Sequence, residues 1–503
     1  MVDWVSIAGF LPSVTKPERR LTLNQKLKWT ILILLAFFLL GSITCWGVDS
    51  SAVARFEFLE IVFGSKFGSL ITLGIGPIVT SSIILQLLVG SKIINWDTKT
   101  ELGKTKFTTA QKLLTFAFCI FEAIAYVLAG AVPAAGGAAF LKTVVIFQLI
   151  LGGLLIVFMD EVCSKWGIGS GVSLFIAAGV SKTIFIRLFA PPIGEAGGGA
   201  IASIIFLLTQ GQPVSAFISL FPIISTLFVF GIVVYAQAMR VEIPMAFSMP
   251  FGKFAARRWP LKFIYASVIP VILVSAVVAN LQVVGRIMEN KGFPLLGTFD
   301  ASSGQASSGL VFYMTSPNSV GLMIVVVLGG LIAIGLGLLA SRLFKKYVMR
   351  ISFLGALIGV VLGYLLVNSI DAVPVIASVD YLRTLTYMIT MMIGATIFSI
   401  FWVATSGMDS KSVAEQFKGS FLSLPGFRRD PRIIEKVLER YIPALSILGG
   451  LFIGLLASFA DLTNAFGTGT GILLAAMIIF QLYEQISKDH FEELHPSIRK
   501  FMG

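Results

Sequence analysis

The sequence predicts an all-α polytopic membrane protein. Three observations predict it. Of 503 residues, 56% are hydrophobic and only 13% are charged, about half the charged share of a soluble globular chain. The mean hydropathy is +0.91. The apolar residues fall into runs of about 20, the length a helix needs to cross the hydrocarbon core. A water-soluble domain cannot hide that much apolar surface, so lipid is the solvent for much of the chain. A soluble enzyme, a disordered chain and a secreted disulfide scaffold are excluded. Cys45, Cys119 and Cys163 lie in or beside apolar runs, without CxxC or metal spacing, and read as small buried hydrophobes. The first run, Ile31–Leu40, continues to span length and lacks a small-residue cleavage site, so no cleavable signal peptide is expected.

In chain order, spans are expected near 28–48, 69–90, 108–131, 141–160, 168–189, 218–239, 262–284, 319–341, 351–370, 384–404, 442–460 and 467–486, twelve in all. Residues 49–68 are too polar to span and read as a short amphipathic segment. Residues 199–209 (GAIASIIFLLT) are too short and are expected at the outer surface. With the N-terminus in the cytoplasm, all but eight of the 38 lysines and arginines fall on cytoplasmic segments. The exceptions are Arg55, Lys66, Lys142, Lys182, Arg187, Arg286, Lys291 and Arg383. That asymmetry fixes the orientation and puts both termini inside.

Two cytoplasmic loops, 240–262 and 405–441, are longer than a helical hairpin needs. The stretch 253–262 carries four basic residues and no acid. Such charges either set topology alone or form a docking surface for a large anionic partner. The length of the loops favours the docking surface.

Three spans begin with glycine clusters: ITLGIGPIVTSSIILQLL (71–88), GIGSGVSLFIAAGVS (167–181) and GTGTGILLAAM (467–477). A phosphate loop is excluded, because no strand precedes and no GKS or GKT follows. Small residues at helix contacts allow close packing. Ile75 with Val79, and Val172 with Ile176, share a face at i, i+4 spacing. Such pairs are ordinary core or lipid contacts, or, if they face a common centre, an apolar constriction that gates by dewetting.

The runs ITLGIGPIVT, DEVCSKWGIGSGVSLFIAAGVS, MRVEIPMAF, IFWVATSGMDSKS and ELHPSI closely resemble the SecY/Sec61 alpha family, the channel subunit of the general protein translocase. The resemblance runs from about residue 20 to the end, in several long motifs in the right order, and its pattern is most like archaeal members. It implies a SecY-like two-half clamshell channel. Ten family helices are expected, plus one extra inserted transmembrane hairpin at about 319–370, which makes about twelve spans. The expected divisions are a cytoplasmic N-terminus 1–27, an N-terminal half 28–217, a C-terminal half 218–486 and a cytoplasmic tail 487–503. The hairpin's basic loop, RLFKKYVMR, is cytoplasmic, and inserting a pair of helices preserves the orientation of the rest.

By position in the family's motifs, the resemblance implies a pore ring of Ile75, Val79, Val172, Ile176, Ile272 and Leu474. Aliphatic side chains suit that role: they deform around any peptide, offer it no fixed hydrogen bond, and still resist water and ions when closed. Residues 49–68 fall where the family places its plug, with Arg55, Phe56, Glu57, Phe58, Leu59 and Glu60 along it. Thr80, Gln86, Glu122 and Asn280 match polar positions at the lateral gate between helices 2 and 3 and helices 7 and 8. An ionisable group in mid-span, such as Glu122, is costly and functional by default. Polar contacts of about 1 kcal/mol are weak enough for a signal helix to break. Arg257, Arg258 and Lys262 in the first long loop, and Arg428 and Arg429 in the second, match the family's ribosome dock. A contact with ribosomal RNA weakens as salt rises.

The implied partners are two small single-span subunits, of the SecE/Sec61 gamma and Sec beta types, the ribosome, and signal-bearing polypeptides. The expected location is the plasma membrane of an archaeon, or the endoplasmic reticulum membrane if the source is eukaryotic. No cofactor, metal or catalytic residue is expected, and the driving energy must come from a partner. A secondary transporter is the first rival, but such proteins place charged or broken-helix sites at the midplane. Here the candidate path is aliphatic. An intramembrane enzyme is the second. The tail run HFEELH lacks HExxH spacing, and neither GxSxG nor paired intramembrane carboxylates occur.

Overall fold

The computed structural model describes residues 11–49, 68–96, 100–128, 132–191, 198–248, 254–317, 378–423 and 431–494, apart from a few positions within them, and scattered helical residues between 325 and 364. The expected plug, including Arg55, Phe56, Glu57, Phe58, Leu59 and Glu60, lies outside the described residues, as does most of the extra hairpin.

Helix α1 (Leu23–Ser42) starts where Gln25 accepts a hydrogen bond from the Thr22 amide at 3.2 Å. Residues 69–75 then form successive turns, so α2 (Gly76–Gly90) is shorter than the span expected at 69–90. Gly74 at φ 53° supplies a backbone conformation that a side chain would disfavour. Helices α3 (Glu101–Leu128), α4 (Ala139–Trp166) and α5 (Gly171–Phe189) complete the first group. Ser81 on α2 and Thr115 on α3 share a hydrogen bond of 2.6 Å, and Lys112 on α3 pairs with Glu161 on α4 at 2.9 Å. Helix α6 (Ala200–Thr209) has ten residues, none buried, and is too short to span.

After α7 (Pro213–Ile218) and α8 (Phe221–Ala238), the first long loop folds as strands β1 (Arg240–Ser248) and β2 (Phe254–Lys262). Then follow α9 (Ile269–Asn290), α10 (Gly309–Tyr313), α11 (Ser378–Thr405), α12 (Ser410–Lys418), β3 (Leu422–Ser423), α13 (Pro431–Leu462) and α14 (Gly469–Leu494). Among the described residues, nine helical stretches are long and apolar enough to cross a membrane, with Gly76–Gln86 and Ala200–Thr209 as shorter apolar helices. Large apolar side chains such as Leu35, Phe140 and Leu227 point outward, as residues facing lipid do.

The sheet is what the periodicity did not foresee. Its order is β2-β1-β3, antiparallel, with Arg240 opposite Lys262 and Phe247 opposite Leu422. It joins the two long cytoplasmic loops into one unit. Pro244 and Pro260 argue against strands when read in sequence. Strand β3 pairs only with Ala246 and Phe247, so Pro244 lies where β1 has a free edge. Ile243 and Leu261 pack the sheet onto Val413 of α12, Val403 of α11 and Leu438 of α13.

Two large apolar cores occupy the membrane region. One joins α8, α9, α11, α13 and α14 through Val229, Val274, Met391, Ile453 and Leu473. The other joins α1, the turn before α2, α4 and α5 through Phe37, Ile75, Ile156 and Phe175, and takes in Ala475 and Ile478 of α14. All three cysteines are free and buried.

Candidate functional site

Five of the six aliphatic residues singled out in the sequence come from three helix starts. Ile75 precedes α2, and Val79 lies in its first turn, where its amide bonds the Ile75 carbonyl at 3.0 Å. Val172 and Ile176 lie in the first two turns of α5, and Leu474 in the second turn of α14. These five share one apolar core: Ile75 and Ile176 are buried in it, while Val79, Val172 and Leu474 are half-buried against it. Ile272 does not join them. It is half-buried on α9, and its neighbours Val271 and Val274 belong to the other core.

The glycine clusters that open α5 and α14 have a steric reason. A Cβ on Gly171 would stand 2.6 Å from Asp160 Cα, and one on Gly469 would overlap the Ala457 carbonyl oxygen. Each helix therefore starts in contact with the helix before it. Gly169, Gly467 and Thr468, at φ 74°, 91° and 62°, turn the chain into these starts.

Two carboxylates that the sequence reading passed over hold these starts. Asp160 on α4 accepts from the Val172 amide at 2.9 Å and from the Ser170 hydroxyl at 3.3 Å. Asp461 on α13 accepts from the Gly469 amide at 2.7 Å and from the Tyr387 hydroxyl of α11 at 2.6 Å. Both acids fall at the ends of apolar runs, where sequence alone reads them as interfacial. The signal that could have found them is an acid placed 8 to 11 residues before a glycine-initiated helix.

The polar gate residues are partly brought together. Thr80 on α2 donates to Glu122 Oε1 on α3 at 3.3 Å. Glu122 Oε2 and Gln86 Oε1 are buried with no hydrogen-bond partner among the described residues. Asn280 lies on α9, and its side chain is outside the described residues. Its neighbour Ala279 is buried in a cluster with Ala123 and Val127 of α3.

On the cytoplasmic side, Arg258 is exposed and donates to Glu242 across the hairpin at 2.7 Å. That carboxylate holds the Arg258 guanidinium pKa above its ordinary value. Lys262 and Arg240 both reach Glu484 on α14, at 2.9 and 3.1 Å. Arg257 lies on β2 with its side chain outside the described residues, and Arg428 and Arg429 lie wholly outside them.

Residues 69–483 match the SecY family model. The chain is 39% identical over 501 residues to the protein translocase subunit SecY of Methanothermobacter thermautotrophicus, covering 98% of this chain and 97% of that one. Two solved structures, each at 35% identity and a TM-score of 0.72, cover 98% of this chain and 99% of theirs. One is a SecY protein whose plug domain is described as stabilising the closed state of the translocation channel and maintaining a membrane seal. The other is Sec61 in a canine ribosome-channel complex from the endoplasmic reticulum.

Proposed function

The chain belongs to the SecY family, as the channel subunit of a protein translocase and not an enzyme, and from that premise we propose how its residues conduct a polypeptide. The observation that carries the reading is the shared aliphatic core of Ile75, Val79, Val172, Ile176 and Leu474, drawn from the starts of α2, α5 and α14. These five, with Ile272 of α9, which lies outside that core and is added on the family's pattern, form the ring that closes around a moving chain. None can hold a peptide by a hydrogen bond, so any sequence can slide past, and the closed ring excludes water and ions. Residues 49–68 form the plug on its outer side.

The α2–α3 wall, carrying Thr80, Gln86 and Glu122, faces α9 and α11 as the lateral gate. A signal helix parts this seam and leaves sideways into lipid, replacing weak polar contacts with its own apolar surface. Residues 28–217 and 218–486 act as the two halves of the clamshell. The sheet, through Arg257, Arg258 and Lys262 of β2, docks the ribosome together with Arg428 and Arg429 of the second long loop. Small subunits of the SecE/Sec61 gamma and Sec beta types complete the channel. The SecY relatives are archaeal, and the chain is a multi-pass protein of the plasma membrane.

Reconstitution tests the reading. The chain, purified with its two small subunits and placed in vesicles, passes a signal-bearing polypeptide when a ribosome supplies it. Passage of a small solute without any polypeptide would overturn it in favour of a transporter.

A further inference from the structure

We propose that Asp160 and Asp461 are positioning residues that set the resting closure of the pore ring. The inference rests on the ring reading above and adds to it what holds the ring in place.

Each acid does the same work on a different helix. Asp160 stands on α4 and accepts from the amide of Val172, itself a ring residue. Asp461 stands on α13 and accepts from the amide of Gly469, five residues before Leu474. A helix start leaves its first amides without partners, and a side-chain oxygen that accepts from one of them fixes where the helix begins. Caps of this kind usually come from the residue just before the helix. Here both come from the preceding helix, so each fixes the new helix relative to a neighbour.

Three further observations agree. Gly171 and Gly469 bring the helix starts against α4 and α13 closely enough to exclude a side chain. Thr468 adopts a left-handed conformation unusual for a residue with a branched side chain, and its backbone leads directly into the capped turn. The second oxygen of Asp461 is held by Tyr387, which leaves the carboxylate little freedom to swing away from Gly469. The basic-residue count places the Asp160 cap towards the cytoplasm and the Asp461 cap towards the outside. The antiparallel helices α5 and α14, which pack together, are therefore each pinned at the end nearest their ring residues. Releasing either cap lets ring side chains shift by a fraction of a turn, which a closure made only of apolar contact cannot absorb.

The test is passive ion flux per channel through the complex with its small subunits, in vesicles without substrate. Asp160→Ala and Asp461→Ala are expected to raise resting flux about fivefold to tenfold, the scale of losing one cap. Asp160→Asn and Asp461→Asn keep a side-chain oxygen for the amide and should return most of the closure. Asp409→Ala is the control: Asp409 caps α12 by accepting from the Ser412 amide at 3.3 Å, far from the ring, and its loss should leave flux unchanged. If an alanine variant yields no complex, Asp160→Glu and Asp461→Glu take its place, moving the acceptor out by one methylene, and should also raise flux. Wild-type flux in the folded alanine or glutamate variants overturns the proposal, as does an equal rise in Asp409→Ala. Leu474→Ala separates the two readings. If it leaves flux unchanged, the ring itself is misassigned; if it raises flux while the Asp160 and Asp461 variants do not, only the positioning role fails.

Discussion

Glycine at a helix start and glycine on a lipid-facing wall have the same formula and opposite consequences. A Cβ at Gly171 or Gly469 meets neighbouring backbone, whereas at Gly231 on α8 it meets nothing within 4 Å. Gly171→Ala and Gly469→Ala should therefore each destabilise the folded complex by about 1–3 kcal/mol, the cost of forcing extra volume into a packed contact. Gly231→Ala should be neutral or stabilising by up to about 1 kcal/mol, from its better helix propensity. Thermal unfolding of the three purified variants checks this, and equal shifts would refute the steric account. At this scale the sequence was legible where chemistry is local. The i, i+4 spacing put Ile75 with Val79, and Val172 with Ile176, on shared faces, and the four do meet in one apolar core; their place in a pore ring came from the family resemblance and not from spacing. Asp160 and Asp461 were not legible, because their partners lie 12 and 8 residues away along the chain, and only the turn between helices makes those distances short.

Among the elements, long apolar helices could be read directly, because burial in lipid demands about 20 apolar residues in a row. Their ends could not: α13 begins at Pro431, eleven residues before the expected span at 442–460, because its first turns are polar and run outside the hydrocarbon. The sheet was illegible for a different reason. Its strands carry two prolines and pair in part through β3, two residues supplied from the other long loop. No window of sequence contains both partners. Their union means that the two loops meet in one sheet, whose strand β2 carries Arg257, Arg258 and Lys262 of the residues proposed for docking. Arg428→Glu with Arg429→Glu should weaken ribosome binding roughly tenfold near physiological salt, since each reversal removes one attraction to phosphate and adds a repulsion. Co-sedimentation with ribosomes reads this, and unchanged binding at moderate salt would remove these two residues from the dock.

At the scale of the whole molecule, the outward-facing apolar residues say which solvent the fold is built for. Leu35 on α1 is 59% exposed, and Ile33 two residues away is 7% exposed. In water the first would be a liability; in lipid it is the ordinary surface. Leu35→Arg should cost about 2.5–3.5 kcal/mol of insertion free energy, seen as a reduced inserted fraction in a membrane-integration assay. Insertion equal to that of the parent chain would contradict a lipid-facing α1. The basic excess that oriented the spans has a further consequence on the cytoplasmic side. Arg258 already holds Glu242, and Lys262 already holds Glu484. These two cations meet a polyanion carrying tethered carboxylates in place of mobile counterions, so binding there exchanges one fixed partner for another and frees fewer salt ions than a count of charges implies. The slope of log affinity against log salt should be shallower than that count predicts, and Glu242→Gln, which returns Arg258 to the ion atmosphere, should steepen it by somewhat under one unit.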